Sequence, residues 1–115
     1  PPCVPVCPTG ASHVSDFGKL VSITEKDCIK CRLCVKACPY EARFMHRETG
    51  YASKCTFCVH RLKQGLEPAC VAVCPTRAMH FGDLDDPNGR LQQLLAASKH
   101  RVLKPEKGTK PRIFY

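Results

Sequence analysis

Cys28-Ile29-Lys30-Cys31-Arg32-Leu33-Cys34-Val35-Lys36-Ala37-Cys38-Pro39 places four cysteines at intervals of three, three and four and closes them with a proline. Its second half recurs. Cys34-Val35-Lys36-Ala37-Cys38-Pro39-Tyr40-Glu41-Ala42 is matched by Cys3-Val4-Pro5-Val6-Cys7-Pro8-Thr9-Gly10-Ala11 and by Cys70-Val71-Ala72-Val73-Cys74-Pro75-Thr76-Arg77-Ala78, a shared C-V-x-[VA]-C-P-[TY]-x-A. Further cysteines precede two of the copies, Cys28 and Cys31 in one case, Cys55 and Cys58 in the other. The first copy has no such prefix. That prefix is expected upstream of Pro1, and the opening Pro1-Pro2-Cys3, with neither an initiator Met nor a signal-peptide pattern, is expected to be the start of a piece of something longer.

The run C-x2-C-x2-C-x3-C-P is the bacterial ferredoxin spacing, in which three close thiolates wrap one [4Fe-4S] cluster and the fourth ligates another. The reason is geometric. A tight loop aims three sulfurs at three iron corners, and the helical turn that follows points the fourth away. Proline after that fourth Cys ends the turn because it cannot continue the hydrogen-bond ladder. The last unit keeps the same ends around a longer middle, with Val59, Leu62 and Leu66 on one helical face between Cys58 and Cys70.

Outward from the cysteines, the pattern predicts an α+β, ferredoxin-like chain of short hairpins and short helices wrapped around clusters. Val14 to Asp16 and Leu20 to Ile23 read as a hairpin around Phe17-Gly18-Lys19, and Ala42 to Met45 with Tyr51 to Ser53 as a second around Glu48-Thr49-Gly50. Thr56 to Gln64 predicts a helix stopped at Gly65, and Arg77 to Phe81 a strand. Asp86 as N-cap, Pro87 in the first turn and Leu91, Leu94 and Leu95 at helical spacing predict a C-terminal amphipathic helix to about Ser98. The Pro- and Lys-rich remainder reads as an extended tail. The expected division is a cluster-binding domain over 1–85, incomplete at its N-terminus, a helix over 86–100 and the tail over 101–115.

Composition supports a cofactor-held chain. At 115 residues, with 43% hydrophobic residues, only 7% aromatic and no Trp, an ordinary apolar core is thinly supplied, and ten Cys stand out. Triplets at three-residue spacing inside a repeated Cys-Pro motif are unlike a disulfide framework. Zinc is the stronger rival, since Cys55-x2-Cys58 is zinc-like, but the run of four with its proline argues for iron-sulfur. Haem attachment fails because Val59, not His, follows Cys58, and the five scattered His make no metal-binding pair. Lys36, Arg43 and Lys54 lie near the Cys runs, where they either tune a cluster, dock a partner or form a solvated basic face. The net charge is +8. Ten thiolates and the equivalent of about 2.5 [4Fe-4S]2+ cores bring it to roughly +3, so the basic excess reads as countercharge and no nucleic-acid partner is expected. No nucleophile-base motif stands out, so no catalytic residue is assigned. No stretch is long enough for a direct membrane span.

Cys28-Ile29-x2-Arg32-x-Cys34, Ala37-Cys38-Pro39-Tyr40-x-Ala42-Arg43, Lys54-Cys55-Thr56-x-Cys58-x2-Arg61, Pro68-Ala69-Cys70-Val71, Cys74-Pro75-Thr76-x-Ala78, Phe81-Gly82-Asp83 and Asp86-Pro87 are together similar to the electron-transfer subunits of molybdopterin oxidoreductases. These are the four-cluster ferredoxin-like subunits of the dimethyl sulfoxide, polysulfide, tetrathionate and nitrite reductase and formate dehydrogenase type. The resemblance reaches Gly108-Thr109-Lys110-Pro111-Arg112. That family usually has Gly where Glu41 and Arg77 stand, a departure that bears on turn geometry rather than on ligation.

The resemblance implies four cysteine groups in two interlocked modules, the first paired with the fourth and the second with the third. Cys7, Cys28, Cys31 and Cys34 then form the one complete [4Fe-4S] site. Cys3 and Cys38 share a second, Cys55, Cys58 and Cys70 serve a third and Cys74 a fourth, each completed by upstream residues. The implied function is relay of single electrons between a membrane-anchor, quinone-reactive subunit and a molybdopterin-containing catalytic subunit, the chain itself being non-catalytic. Its place is peripheral in a membrane-bound complex, on the periplasmic face in preference to the cytoplasmic. The alternative is a stand-alone, soluble two-cluster carrier in which Cys74 completes Cys28, Cys31 and Cys34, Cys38 completes Cys55, Cys58 and Cys70, and Cys3 and Cys7 are idle.

Overall fold

The computed structural model describes residues 1–115 as two compact units, one of Pro1–Thr56 with Val102–Phe114 and the other of Phe57–Arg101 with Tyr115. In the first unit, β1 (Ser12–Val14) and β2 (Val21–Ile23) form an antiparallel pair in which Ser12 faces Ile23 and Val14 faces Val21. Gly18 at φ +60° sits in the connection, a conformation that glycine adopts without steric cost. A 3-10 turn (Glu25–Asp27) leads to the Cys28 loop and to α1 (Leu33–Lys36). The second antiparallel pair, β3 (Phe44–Met45) with β4 (Ala52–Ser53), follows. Both predicted hairpins are present, but the first strand lies at Ser12–Val14, two residues before the predicted Val14 to Asp16, because Ser15 and Asp16 belong to the connection, the Ser15 N–H bonding the Leu20 carbonyl at 2.8 Å.

The second unit carries α2 (Val59–Leu62), α3 (Ala69–Ala72) and α4 (Arg90–Ala97). α2 is shorter than the predicted Thr56 to Gln64 because Phe57 and Cys58 are left-handed, at φ +53° and +52°, and cannot belong to a right-handed helix. The predicted strand from Arg77 to Phe81 is absent: Arg77 is left-handed at φ +51°, and the segment has no pairing strand. Asp86 is not the cap of α4. Its Oδ1 accepts the Asn88 N–H at 3.0 Å and its carbonyl accepts the Gly89 N–H at 3.1 Å, so Asp86-Pro87-Asn88-Gly89 closes as a turn and the helix begins at Arg90. The amphipathic helix therefore exists within the predicted span but is eight residues long.

The tail is not a simple extended arm. Pro105–Lys107 forms a 3-10 turn between left-handed Lys104 and Gly108, and the chain returns so that Val102 bridges Phe114. Lys104 Nζ donates to the Pro39 carbonyl at 2.5 Å, and the Tyr40 hydroxyl bonds Thr109 Oγ1. These contacts hang on separated residues with no periodic signal, which is why the pattern of the tail alone does not show them.

The buried apolar residues are Cys3, Ala11, Cys34 and Ala52. Val21, Ile23, Cys28, Val35 and Met45 pack partly buried against Cys3, Cys34 and Ala52. A core of alanine and cysteine supplies little burial energy at about 25 cal/mol per Å² of apolar area. Two of the three Cys-Pro turns also carry local strain. Gly10, Glu41 and Arg77 occupy the same repeat position and all are left-handed, at φ +70°, +53° and +51°. Glu41 and Arg77 thus keep the turn that Gly10 makes without strain. Glu41→Gly and Arg77→Gly should each raise the thermal midpoint of the cluster-loaded protein and Gly10→Glu should lower it, each through about 1 kcal/mol, measured by loss of visible absorbance on heating.

Candidate metal centre

The three repeats build the same backbone device. The N–H of the last Cys in each copy bonds the carbonyl three residues before it, Val4, Val35 or Val71, at 3.1, 3.3 and 3.2 Å. Its own carbonyl then accepts from Gly10, Glu41 or Arg77 at 3.3, 3.3 and 3.1 Å. Two consecutive turns that share the cysteine, with proline as the second residue of the later one, hold each cysteine at a bend.

What surrounds the sulfur differs between copies. Cys7 Sγ accepts the Ser12 N–H at 3.4 Å and lies 3.7 Å from Thr9 Oγ1. The Ser12 amide, working against burial, holds the Cys7 thiol below its ordinary pKa. Cys74 Sγ lies 3.6 Å from Thr76 Oγ1, and that hydroxyl, followed by the Met79 amide, holds the Cys74 thiol low as well. Both cysteines are thereby biased toward thiolate, the form that ligates metal. In the middle copy Tyr40 stands where the others have Thr, and its hydroxyl bonds Thr109 instead.

The triple run is folded by left-handed residues. Cys28 caps the 3-10 turn, its N–H bonding the Glu25 carbonyl at 3.0 Å. Lys30 and Arg32, at φ +61° and +64°, bracket Cys31, and Arg32 then caps the helix that carries Cys34. The Lys30 ammonium lies 4.5 Å from the Tyr51 ring centroid, which fixes the outer side of this loop. Cys34 is buried, Cys28 half-buried and Cys31 exposed. The first repeat is tied to this run: Thr9 Oγ1 donates to the Asp27 carbonyl at 2.7 Å, immediately before Cys28, and the Thr24 N–H bonds the Ala11 carbonyl at 2.8 Å.

The structure thus gathers Cys3, Cys28 and Cys34 in one packed cluster and ties the Cys7 turn to the Cys28 loop. Cys31 stands at the exposed face of the same loop, and half-buried Cys38 follows α1 and precedes Pro39, whose carbonyl accepts from Lys104 of the returning tail. Cys55 lies near the end of the first unit's main segment, while Cys58, Cys70 and Cys74 belong to the second. Beside Cys74 is a cavity of about 310 Å³ with Arg77, His80 and Arg90 on its wall next to Leu91 and Leu94. None of the ten cysteines is in a disulfide. No three His, Cys, Asp or Glu side chains converge on the position of a single ion. A cluster with iron at four corners takes its thiolates from further apart.

Two observations test whether these residues suit such a group. The donor set is all thiol, which is what iron-sulfur ligation uses. Buried Arg43 keeps Nη1 without a hydrogen-bond partner, and Lys54, half-buried, has its ammonium pKa lowered by burial and then by the Arg43 charge, while Cys55 and Cys3 push the other way. Two neighbouring cations beside thiols fit an anionic iron-thiolate centre. Sequence reasoning places the thiols and misses Ser12, Thr9 and Thr76, although the [TY] position of the repeat carries a hydroxyl in every copy.

Residues 1–84 match a family described as a 4Fe-4S dicluster domain. A tetrathionate reductase subunit of Salmonella typhimurium is 50% identical over 117 residues, covering 100% of this chain and 46% of that protein. A polysulfide reductase chain of Wolinella succinogenes is 46% identical, covering 98% of this chain and 59% of its own length, and protein NrfC of Escherichia coli is 46% identical, covering 98% and 51%. The chain spans about half the length of these curated relatives.

Thr9 is the hydroxyl that joins the first repeat to the triple run. Thr9→Val removes its bond to Asp27, at a cost of about 1 kcal/mol, and should accelerate chelator-driven iron release from the loaded chain, followed by the decay of visible absorbance.

Proposed function

The protein belongs to the 4Fe-4S dicluster domain family, and from that premise we propose that it is the relay portion of an iron-sulfur subunit. It passes single electrons between a membrane-anchor, quinone-reactive subunit and a molybdopterin-containing catalytic subunit. Its cofactors are [4Fe-4S] clusters. When bound, such a cluster supplies one-electron exchange, and the protein sets spacing, charge and hydrogen bonding around it.

The proposed ligand sets are Cys7 with Cys28, Cys31 and Cys34 for one centre complete within this sequence, Cys3 with Cys38 for a second, Cys55, Cys58 and Cys70 for a third and Cys74 for a fourth. The last three draw their remaining ligands from upstream residues. The observation that carries the first set is the Thr9 bond to Asp27, which joins the Cys7 turn to the residue preceding Cys28. The orphaned guanidinium nitrogen of Arg43 supports an anionic centre in the same unit. The cavity beside Cys74, lined by Arg77 and Arg90 as well as by Glu67, supports a separate centre there.

Relatives named as component polypeptides of tetrathionate and polysulfide reductases support a catalytic partner. The proposed place is peripheral in a membrane-bound complex, supported by the reductase relatives; no helix of the chain is long and apolar enough to cross a membrane. The periplasmic face is the proposed side. Residues 1–85 are the proposed cluster-binding domain, with 86–100 as its helical extension and 101–115 as the tail.

Iron and acid-labile sulfide, measured per chain on anaerobically prepared protein, test the ligand reading. About four of each, lost in Cys7→Ser, is the expected result. About eight of each, unchanged by Cys7→Ser, would replace it with the self-contained two-cluster carrier. Zinc without iron would overturn electron transfer.

A further inference from the structure

Ser12 and Arg43 are the buried polar residues of this protein, at 2% and 4% exposure. They are bonded to each other: Arg43 Nη2 donates to Ser12 Oγ at 2.8 Å. Ser12 in turn donates its backbone N–H to Cys7 Sγ at 3.4 Å. A guanidinium therefore stands one residue behind a cluster ligand, linked to it by a continuous pair of hydrogen bonds.

That arrangement leaves a charge to account for. Arginine remains protonated at any pH a protein survives, and its burial is costly unless an anion answers it. The hydroxyl of Ser12 is neutral. Arg43 Nη1 has no partner, and the neighbouring cation is Lys54, which adds positive charge. Sulfur lies close to this pair, with Cys3 and Cys55 near Lys54 and Cys7 beyond Ser12.

We propose that Arg43 is a positioning residue for the centre that Cys7 ligates, its buried charge answering the negative charge of the thiolate-bound cluster while its bond to Ser12 keeps that amide on Cys7 Sγ. The proposal rests on the reading that Cys7 shares a centre with Cys28, Cys31 and Cys34. A fixed positive charge favours the form of the centre that holds the extra electron, so Arg43 raises its reduction potential relative to the same ligands without it. Arg43 makes no ligand bond and moves no proton. It acts through the field and through Ser12.

The test is a redox titration followed by electron paramagnetic resonance on the complete subunit in its native complex. Arg43→Gln should move one midpoint to more negative potential, with at least a tenfold fall in the reduced-to-oxidised ratio at the wild-type midpoint, which is about 59 mV for one electron. Arg43→Lys, which returns the charge, should restore the larger part. The signal that moves should be the one altered by Cys7→Ser. Should Arg43→Gln not load, Arg43→Met keeps the apolar stem, removes the charge and carries the same expectation.

Unchanged midpoints accompanied by a lower thermal midpoint would make Arg43 structural and overturn the proposal. A shift in a signal that Cys7→Ser leaves intact would overturn it too, with the ligand set standing. If Cys7→Ser alters no signal at all, the ligand reading itself fails.

Discussion

Iron-thiolate bonding is the interaction on which the rest of this structure depends, because the polypeptide has almost no interior of its own. Its buried apolar residues are two alanines and two cysteines, and no large side chain is fully buried. Fixing a residue's backbone costs about 1–2 kcal/mol, which a core of this size cannot offset across 115 residues. Metal binding to thiolates does offset it, since the free energy of ligation becomes free energy of folding. The strands are two or three residues long and three of the four α-helices are single turns. Elements so short are arrangements for holding sulfur in place rather than independent sources of stability.

The three Cys-Pro turns show how one backbone device is put to different uses by the side chain two residues after the cysteine. Thr9 donates its only hydroxyl proton to the Asp27 carbonyl, so it staples two cysteine loops together and has none left for Cys7. Thr76 lies within reach of Cys74 Sγ alone, and its proton is available to the sulfur. Tyr40 reaches past the cysteine altogether to hold the returning tail through Thr109. The backbone around each cysteine is nearly the same, as the shared left-handed position at Gly10, Glu41 and Arg77 shows. Differences between centres therefore arise from hydroxyls, amides and buried charge.

The sequence is legible where chemistry or periodicity is local. The cysteine spacing identifies the cluster motif, and both hairpins fall where turn residues separate apolar alternation. It is less legible where a boundary is set by one dihedral angle: Phe57 and Cys58 shorten a helix, and Arg77 ends what reads as a strand. Asp86 has the right residue type for a cap, yet its carboxylate closes a turn with Asn88 instead, a competition that residue type alone does not decide. The tail is the least readable segment. Its anchors, Lys104 on Pro39 and Thr109 on Tyr40, join residues 65 and 69 positions apart and leave no pattern in the local sequence.

The charge balance connects the small core to the proposed electron transfer. A net charge of +8 on the bare polypeptide is a poor fit to a compact fold, since like charges repel, but it suits a cysteine-rich chain whose cofactors are [4Fe-4S] clusters held by thiolates. The placement of individual cations matters more than the total. A surface lysine is screened within about 8 Å at physiological ionic strength and has little influence on a buried centre. Arg43 is buried and its partner Ser12 touches the sulfur of Cys7, the proposed ligand, so its field is far less screened. A relay needs centres whose potentials differ although their ligands are all cysteine, and identical ligands cannot create that difference. Unequal burial of charge and unequal donation to sulfur can, and both are already present around Cys7 and Cys74.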